Sequence, residues 1–148
     1  MQEFPHIYLA ADHRGFALKE SLKGYFSGTG FSVTDCGAAA LSFDDDYPDF
    51  AHEMAWRVAR DPGSFGIAIC GSGAGVAIAA NKVRGIRAGV VFTPADAQAM
   101  RVDEDANVIA LGADRLDFDR ARAIVDAFLA TTASAEERHV RRRMKLER

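Results

Sequence analysis

The sequence predicts an α/β fold: a doubly wound, five-stranded parallel sheet of the Rossmann or flavodoxin type, with helices on both faces and a basic C-terminal helix. Three observations predict it. Short apolar runs alternate with segments of helical periodicity along the chain. The connections between these runs are long enough for crossover helices, which favours parallel pairing. One run, 66–69, has no polar side chain and leads into a glycine-rich turn, as a central strand would.

The predicted strands are apolar or alternating runs that end at glycines, charged residues or turns. In order they span 6–11, 31–35, 66–69, 86–92 and 107–111. Helices are predicted where apolar side chains recur every three or four residues. They span 16–26, 47 to the turn at 61–63, the glycine loop to about 81, 94 to about 103 and 116–130, before the basic helix. Thr93 has the pattern of an N-cap, and Ser134 with Glu137 has the spacing of a capping box.

Composition limits the class of protein. A chain of 148 residues predicts one domain, 1–148. The net charge of −3 gives no reason to expect nucleic acid or a membrane surface as a partner. We expect no signal peptide and no membrane span, so cytoplasm is the predicted location. Cys36 and Cys70 have no disulfide or metal-site spacing, and Cys36 is interpreted as structural.

The stretch from Gly66 to Lys82 carries the chemistry. Cys70 ends its strand, and glycines follow at 71, 73 and 75 before an apolar helix. Backbone N–H groups and the positive end of a helix dipole form an anion site in such a turn, and a thiol there favours its thiolate. A nucleotide-binding loop is an alternative, although Val76 breaks the G-x-G-x-x-G pattern and no Walker motif follows. A small core residue is the alternative for Cys70.

Asp12 and His13 follow the first strand and are expected at the same edge of the sheet as Cys70. A carboxylate, an imidazole, a thiol and an oxyanion cradle suit proton transfer at a carbon beside a carbonyl. The acidic run 44–46 is either a solvated loop or a metal site. The last helix places Arg138 and Arg142 on one face, which fits a solvated basic face, a phosphate site or nucleic-acid binding.

These residues resemble one family, the type B ribose-5-phosphate isomerases and the related galactose-6-phosphate isomerases. The matching motifs cover nearly the whole chain, and the string from Cys70 to Lys82 is the most specific. They are Ala11-Asp-His-Arg-Gly15, Asp46-Tyr-Pro48, Cys70-Gly-Ser-Gly-Ala-Gly75 with Ile78-Ala-Ala-Asn-Lys82, Gly85-Ile-Arg-Ala88, Asn107-Val108, Ile124-Val-Asp-Ala-Phe128, Arg138-His139 and Arg142. The resemblance implies homodimers (a dimer of dimers is an alternative) without metal or cofactor, with active sites at the subunit interface.

The resemblance also implies a reaction and a role for each matching residue. The family interconverts aldose and ketose phosphates, ribose 5-phosphate by default, through a cis-enediolate. Cys70 would be the base, and Ser72 would assist the proton transfer. Gly71, Gly73 and Gly75 would form the anion hole, Asp12 would hold substrate hydroxyls, Tyr47 would line the pocket, and His13, Arg138 and Arg142 would bind the phosphate.

The chain departs from the family pattern in two places. Asp103-Glu104 stands where a His-Asn pair is usual, and Asp114 stands where an arginine is usual, with Arg115 one later. That histidine is thought to open the sugar ring, so its absence has two explanations. Either Asp103 or His13 opens the ring instead, or the substrate of this chain has no ring to open. A tetrose 4-phosphate is such a substrate, because its O4 is esterified. A hexose 6-phosphate isomerase is a further hypothesis, as is a non-catalytic protein that binds a sugar phosphate or a nucleotide.

Overall fold

The computed structural model describes residues 3–148, and within that range it contains one five-stranded sheet and six α-helices. The strands are β1 (Ile7–Ala11), β2 (Val33–Asp35), β3 (Phe65–Cys70), β4 (Ala88–Val90) and β5 (Val108–Gly112). The helices are α1 (Phe16–Ser27), α2 (Tyr47–Arg60), α3 (Ala74–Asn81), α4 (Pro94–Glu104), α5 (Phe118–Ala130) and α6 (Glu137–Leu146), and a short 3-10 helix (Ala113–Arg115) follows β5. Every helix in that range is too short or too polar to span a bilayer.

All strands run parallel in the order β2-β1-β3-β5-β4. The predicted sheet is therefore confirmed. β3 lies at the centre, where Leu9 of β1 pairs with Ile67, and Cys70 pairs with Gly112 of β5. Both neighbours satisfy its backbone groups, which is why a run without polar side chains can be buried there.

Alternate residues of each strand enter two separate cores on opposite faces of the sheet. Ile67 and Ile69 of β3 pack toward α1, α4 and α5, together with Leu22 and Phe128. Ala68 and Cys70 point the other way, into a core of small residues formed with α2 and α3. The sulfur of Cys70 is thus assigned to the α2–α3 face by strand alternation alone.

Several predicted boundaries change in the structure, and the strand predicted over 31–35 begins only at Val33. The strand predicted over 86–92 is shorter, because Ile86 lies in a turn before β4. The helix predicted from 116 begins at Phe118, with Asp117 as its N-cap. The capping box predicted at Ser134 is wrong: α6 starts at Glu137, and Ser134 Oγ accepts from the N–H of Glu136 instead. The N-cap predicted at Thr93 is confirmed, with a reciprocal bond to Asp96.

One buried lysine fixes the loop after β2. Lys19 of α1 is completely buried, and its Nζ donates to Asp35 at 2.6 Å, to Glu20 at 2.9 Å and to the carbonyl of Ala38. Burial raises the pKa of Asp35, but hydrogen bonds from Lys19, Lys23 and a backbone N–H outweigh it and leave that pKa below its usual value. The lysine is therefore paired on all sides, as a buried charge must be.

Candidate active site

The candidate site lies at the carboxyl edge of the sheet between β1 and β3. The chain runs outward from β1 to β2 and then returns to β3 on the other side of β1, which opens a crevice at that edge. Asp12 follows β1 there and is 4% exposed. Its N–H donates to the carbonyl of Ile69, and its Oδ1 accepts from the N–H groups of Arg14 and Gly15. The carboxylate is thus fixed beside the end of β3.

Cys70 lies under the glycine-rich loop and is 4% exposed. The N–H of Gly73 donates to its Sγ at 3.2 Å. Gly73 has a φ of 84°, a left-handed conformation that turns the loop back over the sulfur, and it caps the N-terminus of α3. Ser72 is exposed, and its Oγ accepts from the N–H of Ala74 at 3.2 Å. A backbone donor at the N-terminus of α3 therefore faces the sulfur.

Two glycines are needed because other groups occupy the space of a side chain. A Cβ on Gly112 would lie 2.7 Å from the carbonyl oxygen of Ser72, so β5 supports the loop by direct backbone contact. A Cβ on Gly75 would lie 2.6 Å from the ring of Tyr47, which stands at the start of α2 and is 39% exposed. The tyrosine ring thus covers the first turn of α3, and its pocket-lining role stays a prediction.

His13 is held by a carboxylate from the acidic run. Its Nδ1 lies 2.8 Å from Asp45 Oδ1, and its backbone N–H donates to the same oxygen at 3.0 Å. Asp45 Oδ2 is buried without a hydrogen-bond partner among the described residues. The two bonds fix the direction of the imidazole. Asp45 therefore serves the site, a role that neither interpretation of residues 44–46 included.

Arg14 bridges the loops that follow β3 and β5. Its Nη2 forms an ion pair with the carboxylate of Asp114, and both side chains are about half exposed. The guanidinium covers Gly71 so closely that a Cβ there would overlap it. The N–H of Asp114 donates to the carbonyl of Gly71 at 3.1 Å, which joins the 3-10 helix after β5 to the loop.

The remaining predicted site residues, Asp103, Arg138 and Arg142, lie at the opposite edge. Asp103 is in the last turn of α4, just before β5 begins, and α6 packs against that turn. Arg143 of α6 donates to the carbonyls of Val102 and Asp103. Strands of five or six residues at about 3.3 Å each separate the two edges by roughly 16 Å or more. One subunit therefore does not bring these three residues to Cys70.

A histidine from α6 accompanies Asp103. His139 Nε2 lies 3.8 Å from Asp103 Oδ1, and its Nδ1 is buried without a hydrogen-bond partner in the described part of the chain. Arg138 and Arg142 are exposed on the same helix. The second cluster is thus the pair of Asp103 and His139, while α6 also carries the two exposed arginines, of which Arg138 is paired with Glu136.

Cys36 and a metal site at the acidic run 44–46 are the two remaining candidates. Burial raises the pKa of the Cys36 thiol to about 11, which keeps it protonated and unreactive near neutral pH and agrees with its structural interpretation. Among residues 3–148, no three His, Cys, Asp or Glu side chains are grouped so that they could hold a metal ion. The acidic run 44–46 is therefore not part of such a group.

The site defines a class of protein, the α/β enzymes that move protons on a small anionic substrate. It combines a thiol under an amide donor, a buried carboxylate and an oriented imidazole, at the point of a parallel sheet where the strand order reverses.

Comparison with known proteins identifies the family. The Ribose/Galactose Isomerase family model matches residues 7–146. The ribose-5-phosphate isomerase B of Mycobacterium tuberculosis is 43% identical over 136 residues, which cover 92% of this chain and 84% of that protein. This chain therefore belongs to the Ribose/Galactose Isomerase family.

Solved structures agree with this assignment. A ribose 5-phosphate isomerase from Thermotoga maritima superposes with a TM-score of 0.92 at 37% identity, covering 97% of each chain. Ribose-5-phosphate isomerase B from Mycoplasma genitalium, solved with bound ribulose-5-phosphate, gives a TM-score of 0.91 at 36% identity and covers 96% of this chain and 93% of that one. Both structures share the fold class of this chain, and each superposition covers at least 96% of it.

Sequence reasoning missed three contacts of the predicted site residues and their neighbours. Asp45 is 32 positions from His13, and Asp114 is 100 positions from Arg14, so no spacing along the chain indicates either pair. The sequence indicates His139 only as part of a motif. Its burial against α4 depends on the path of the segment between α5 and α6, which no periodicity describes.

Proposed function

We propose that this protein is an aldose–ketose isomerase that interconverts ribose 5-phosphate and ribulose 5-phosphate, with Cys70 as the base. The observation that carries the proposal is the hydrogen bond from Gly73 N–H to Cys70 Sγ at the switch point of the sheet, beside the buried carboxylate of Asp12. The names of the relatives and the ribulose-5-phosphate bound to one of them support the same substrate. All 148 residues would form one isomerase domain.

In this mechanism, the Cys70 thiolate removes the proton from C2 of the open-chain aldose. The C–H electrons form the C1–C2 double bond of a cis-enediolate, and the negative charge moves onto O1. The thiol then returns the proton to C1, while Ser72 assists transfer of the hydroxyl proton from O2 to O1. The N–H groups of Gly71, Gly73 and Gly75 would stabilise the oxyanion, with that of Gly73 turning from the sulfur to the oxygen once the sulfur has taken up the proton. No cofactor takes part in these steps.

The other residues bind the substrate. Asp12 is buried, with its N–H bonded to Ile69 at the end of β3, and would accept hydrogen bonds from the sugar hydroxyls. Tyr47 would line the pocket from the start of α2. His13, oriented by Asp45, would contact the phosphate. Asp103 lies at the opposite edge of its own subunit, so Asp103 of the other subunit is the proposed proton shuttle for ring opening, and its neighbour His139 would support it.

A homodimer would complete the site, because the arginines of α6 lie at the wrong edge of their own subunit. Arg138 and Arg142 of one subunit would then bind the phosphate in the other subunit's crevice. Mixing a Cys70→Ala variant with an Arg142→Ala variant tests this. Subunit exchange should restore about a quarter of the wild-type activity, since half of the dimers would carry one intact site. No recovery after verified exchange would mean that each subunit uses its own arginine.

The test of the reaction is Cys70→Ala, with Cys36→Ala as the matched control. Loss of a positioned base should lower kcat for ribose 5-phosphate by at least about 10²-fold, while the control keeps full activity. A coupled assay across C4, C5 and C6 sugar phosphates decides the substrate. A kcat/KM highest for a tetrose 4-phosphate or a hexose 6-phosphate would replace ribose 5-phosphate. Turnover of none of them by the wild type would favour a non-catalytic binding protein.

A further inference from the structure

We propose that Arg14, held in place by Asp114, is an additional binding residue for the phosphate group of the substrate. The inference rests on the proposed function and deepens it, because it assigns a phosphate ligand that lies in the same subunit as Cys70. It follows from the contacts of one guanidinium that bridges the loops after β3 and β5.

The position of Arg14 is fixed at both ends. Its backbone N–H donates to Asp12 Oδ1 at 3.0 Å, which ties the residue to the carboxylate at the floor of the crevice. Its guanidinium lies on Gly71, the residue that follows Cys70, and pairs with Asp114. Asp114 in turn is bonded through its N–H to the carbonyl of Gly71. The guanidinium is therefore placed by three neighbouring loops, which limits the freedom it would lose on binding a ligand.

Most donors of this guanidinium remain available. Among the described residues its hydrogen-bonding partner is Asp114, through Nη2, and the side chain is 52% exposed. An arginine carries five N–H donors in a planar fork that matches phosphate oxygens. Another arginine on this side is engaged differently. Arg115 stacks on Phe92, with its Cζ 4.3 Å from the centroid of the ring.

The location favours the phosphate over the reacting carbons. The sulfur is almost fully buried, and the donor nearest to it is the N–H of Gly73, so the reacting atoms belong under the loop. Arg14 lies against Gly71, follows His13 in the chain and is half exposed, so it is available to the charged end of a bound sugar phosphate that would meet solvent. The ion pair of Arg14 and Asp114 is not explained by folding stability, because exposed ion pairs contribute little to the free energy of unfolding.

The experiment compares Arg14→Ala and Arg14→Lys with Asp114→Asn. The matched control is Arg57→Ala, which removes an equally exposed arginine paired with Glu53 on α2. Inorganic phosphate is the probe, as a competitive inhibitor and by titration calorimetry. Arg14→Ala removes a charge-assisted hydrogen bond to the phosphate. It should therefore raise the KM for ribose 5-phosphate by about 10- to 100-fold, and the inhibition and dissociation constants of inorganic phosphate by the same factor. We expect kcat to stay within about threefold, because Arg14 does not contact the reacting atoms.

The other variants separate binding from a structural role. Arg14→Lys should recover part of the affinity, since it keeps the charge without the fork. Asp114→Asn should weaken phosphate binding less than Arg14→Ala, because the guanidinium keeps its donors. Unchanged phosphate binding in Arg14→Ala, or equal losses of affinity and Tm in Arg14→Ala and Asp114→Asn, would overturn the inference. A wild type that binds phosphate through Arg14 without isomerase activity would refute the proposed reaction and leave this inference standing.

Discussion

Replacing Gly71 by alanine should weaken substrate binding although no charged residue is replaced. The new Cβ would overlap the guanidinium of Arg14, which can be displaced into solvent for little more than the cost of its exposed ion pair with Asp114. The free energy of unfolding should therefore change by less than about 1 kcal/mol. Arg14 would leave its place on the loop, so KM should rise about 10- to 100-fold, or about 1.4–2.8 kcal/mol of binding free energy.

A double-mutant cycle determines whether the loss passes through Arg14. If it does, Gly71→Ala should have no further effect in an Arg14→Ala background, and the interaction energy should equal the single effect. The assay is a coupled measurement of KM and kcat, with Tm as the check on folding. An additional rise in KM in the double variant would mean that the methyl group blocks the substrate directly, and the reasoning about the guanidinium would fail.

Gly112→Ala is the contrasting control. Its Cβ would lie 2.7 Å from the backbone oxygen of Ser72, which cannot rotate away. The glycine loop itself would have to move, so both kcat and Tm should fall. A Gly112→Ala variant with wild-type kcat would show that the loop tolerates displacement, and would weaken the case for a preorganised anion hole.

Two further predictions concern the loop after β2 and the second cluster. Asp35→Asn leaves the buried ammonium of Lys19 short of a counter-charge and should cost about 3 kcal/mol, a fall in Tm of roughly 6–12 °C, whereas Glu20→Gln should cost less than about 1 kcal/mol. Because folding lowers the pKa of Asp35, its contribution is present above about pH 4 and is lost below it; an Asp35→Asn variant with unchanged acid sensitivity would contradict this. Asp103→Asn should lower kcat/KM for ribose 5-phosphate at least tenfold and leave a tetrose 4-phosphate unaffected, since only the former needs ring opening; equal losses for both sugars would exclude a ring-opening role.

The sequence predicts the scaffold well because the scaffold depends on local patterns. An apolar run, a glycine turn and a helix at 66–81 define β3, the loop and α3 within a few residues of their observed bounds. Strand alternation then decides that Cys70 faces α2 and α3. Thr93 is found for the same reason, since its cap depends on residues three positions apart.

Contacts between distant loops could not be predicted in the same way. The partner of His13 is Asp45, and the partner of Arg14 is Asp114; each pair forms only because two strand ends meet at one edge of the sheet. The false capping box at Ser134 has a related cause. Ser134 donates its N–H to the carbonyl of Val102, so docking on α4 sets where α6 begins.

The distribution of these contacts indicates which residues can change the substrate of this fold. Around Cys70, Gly73 and Gly112 the loop is held by backbone contacts in which a side chain would strain or displace the chain, so the proton-transfer geometry leaves little room for variation. Asp103, Asp114 and Arg14 are instead about half exposed, and their replacement removes no core packing. Differences in substrate between related chains should therefore arise at these exposed positions, while the loop over the sulfur stays the same. Substitutions at positions 103 and 114 should change the ratio of kcat/KM values between sugar phosphates without lowering Tm. Substitutions at 73 or 112 should instead lower the activity toward every sugar phosphate.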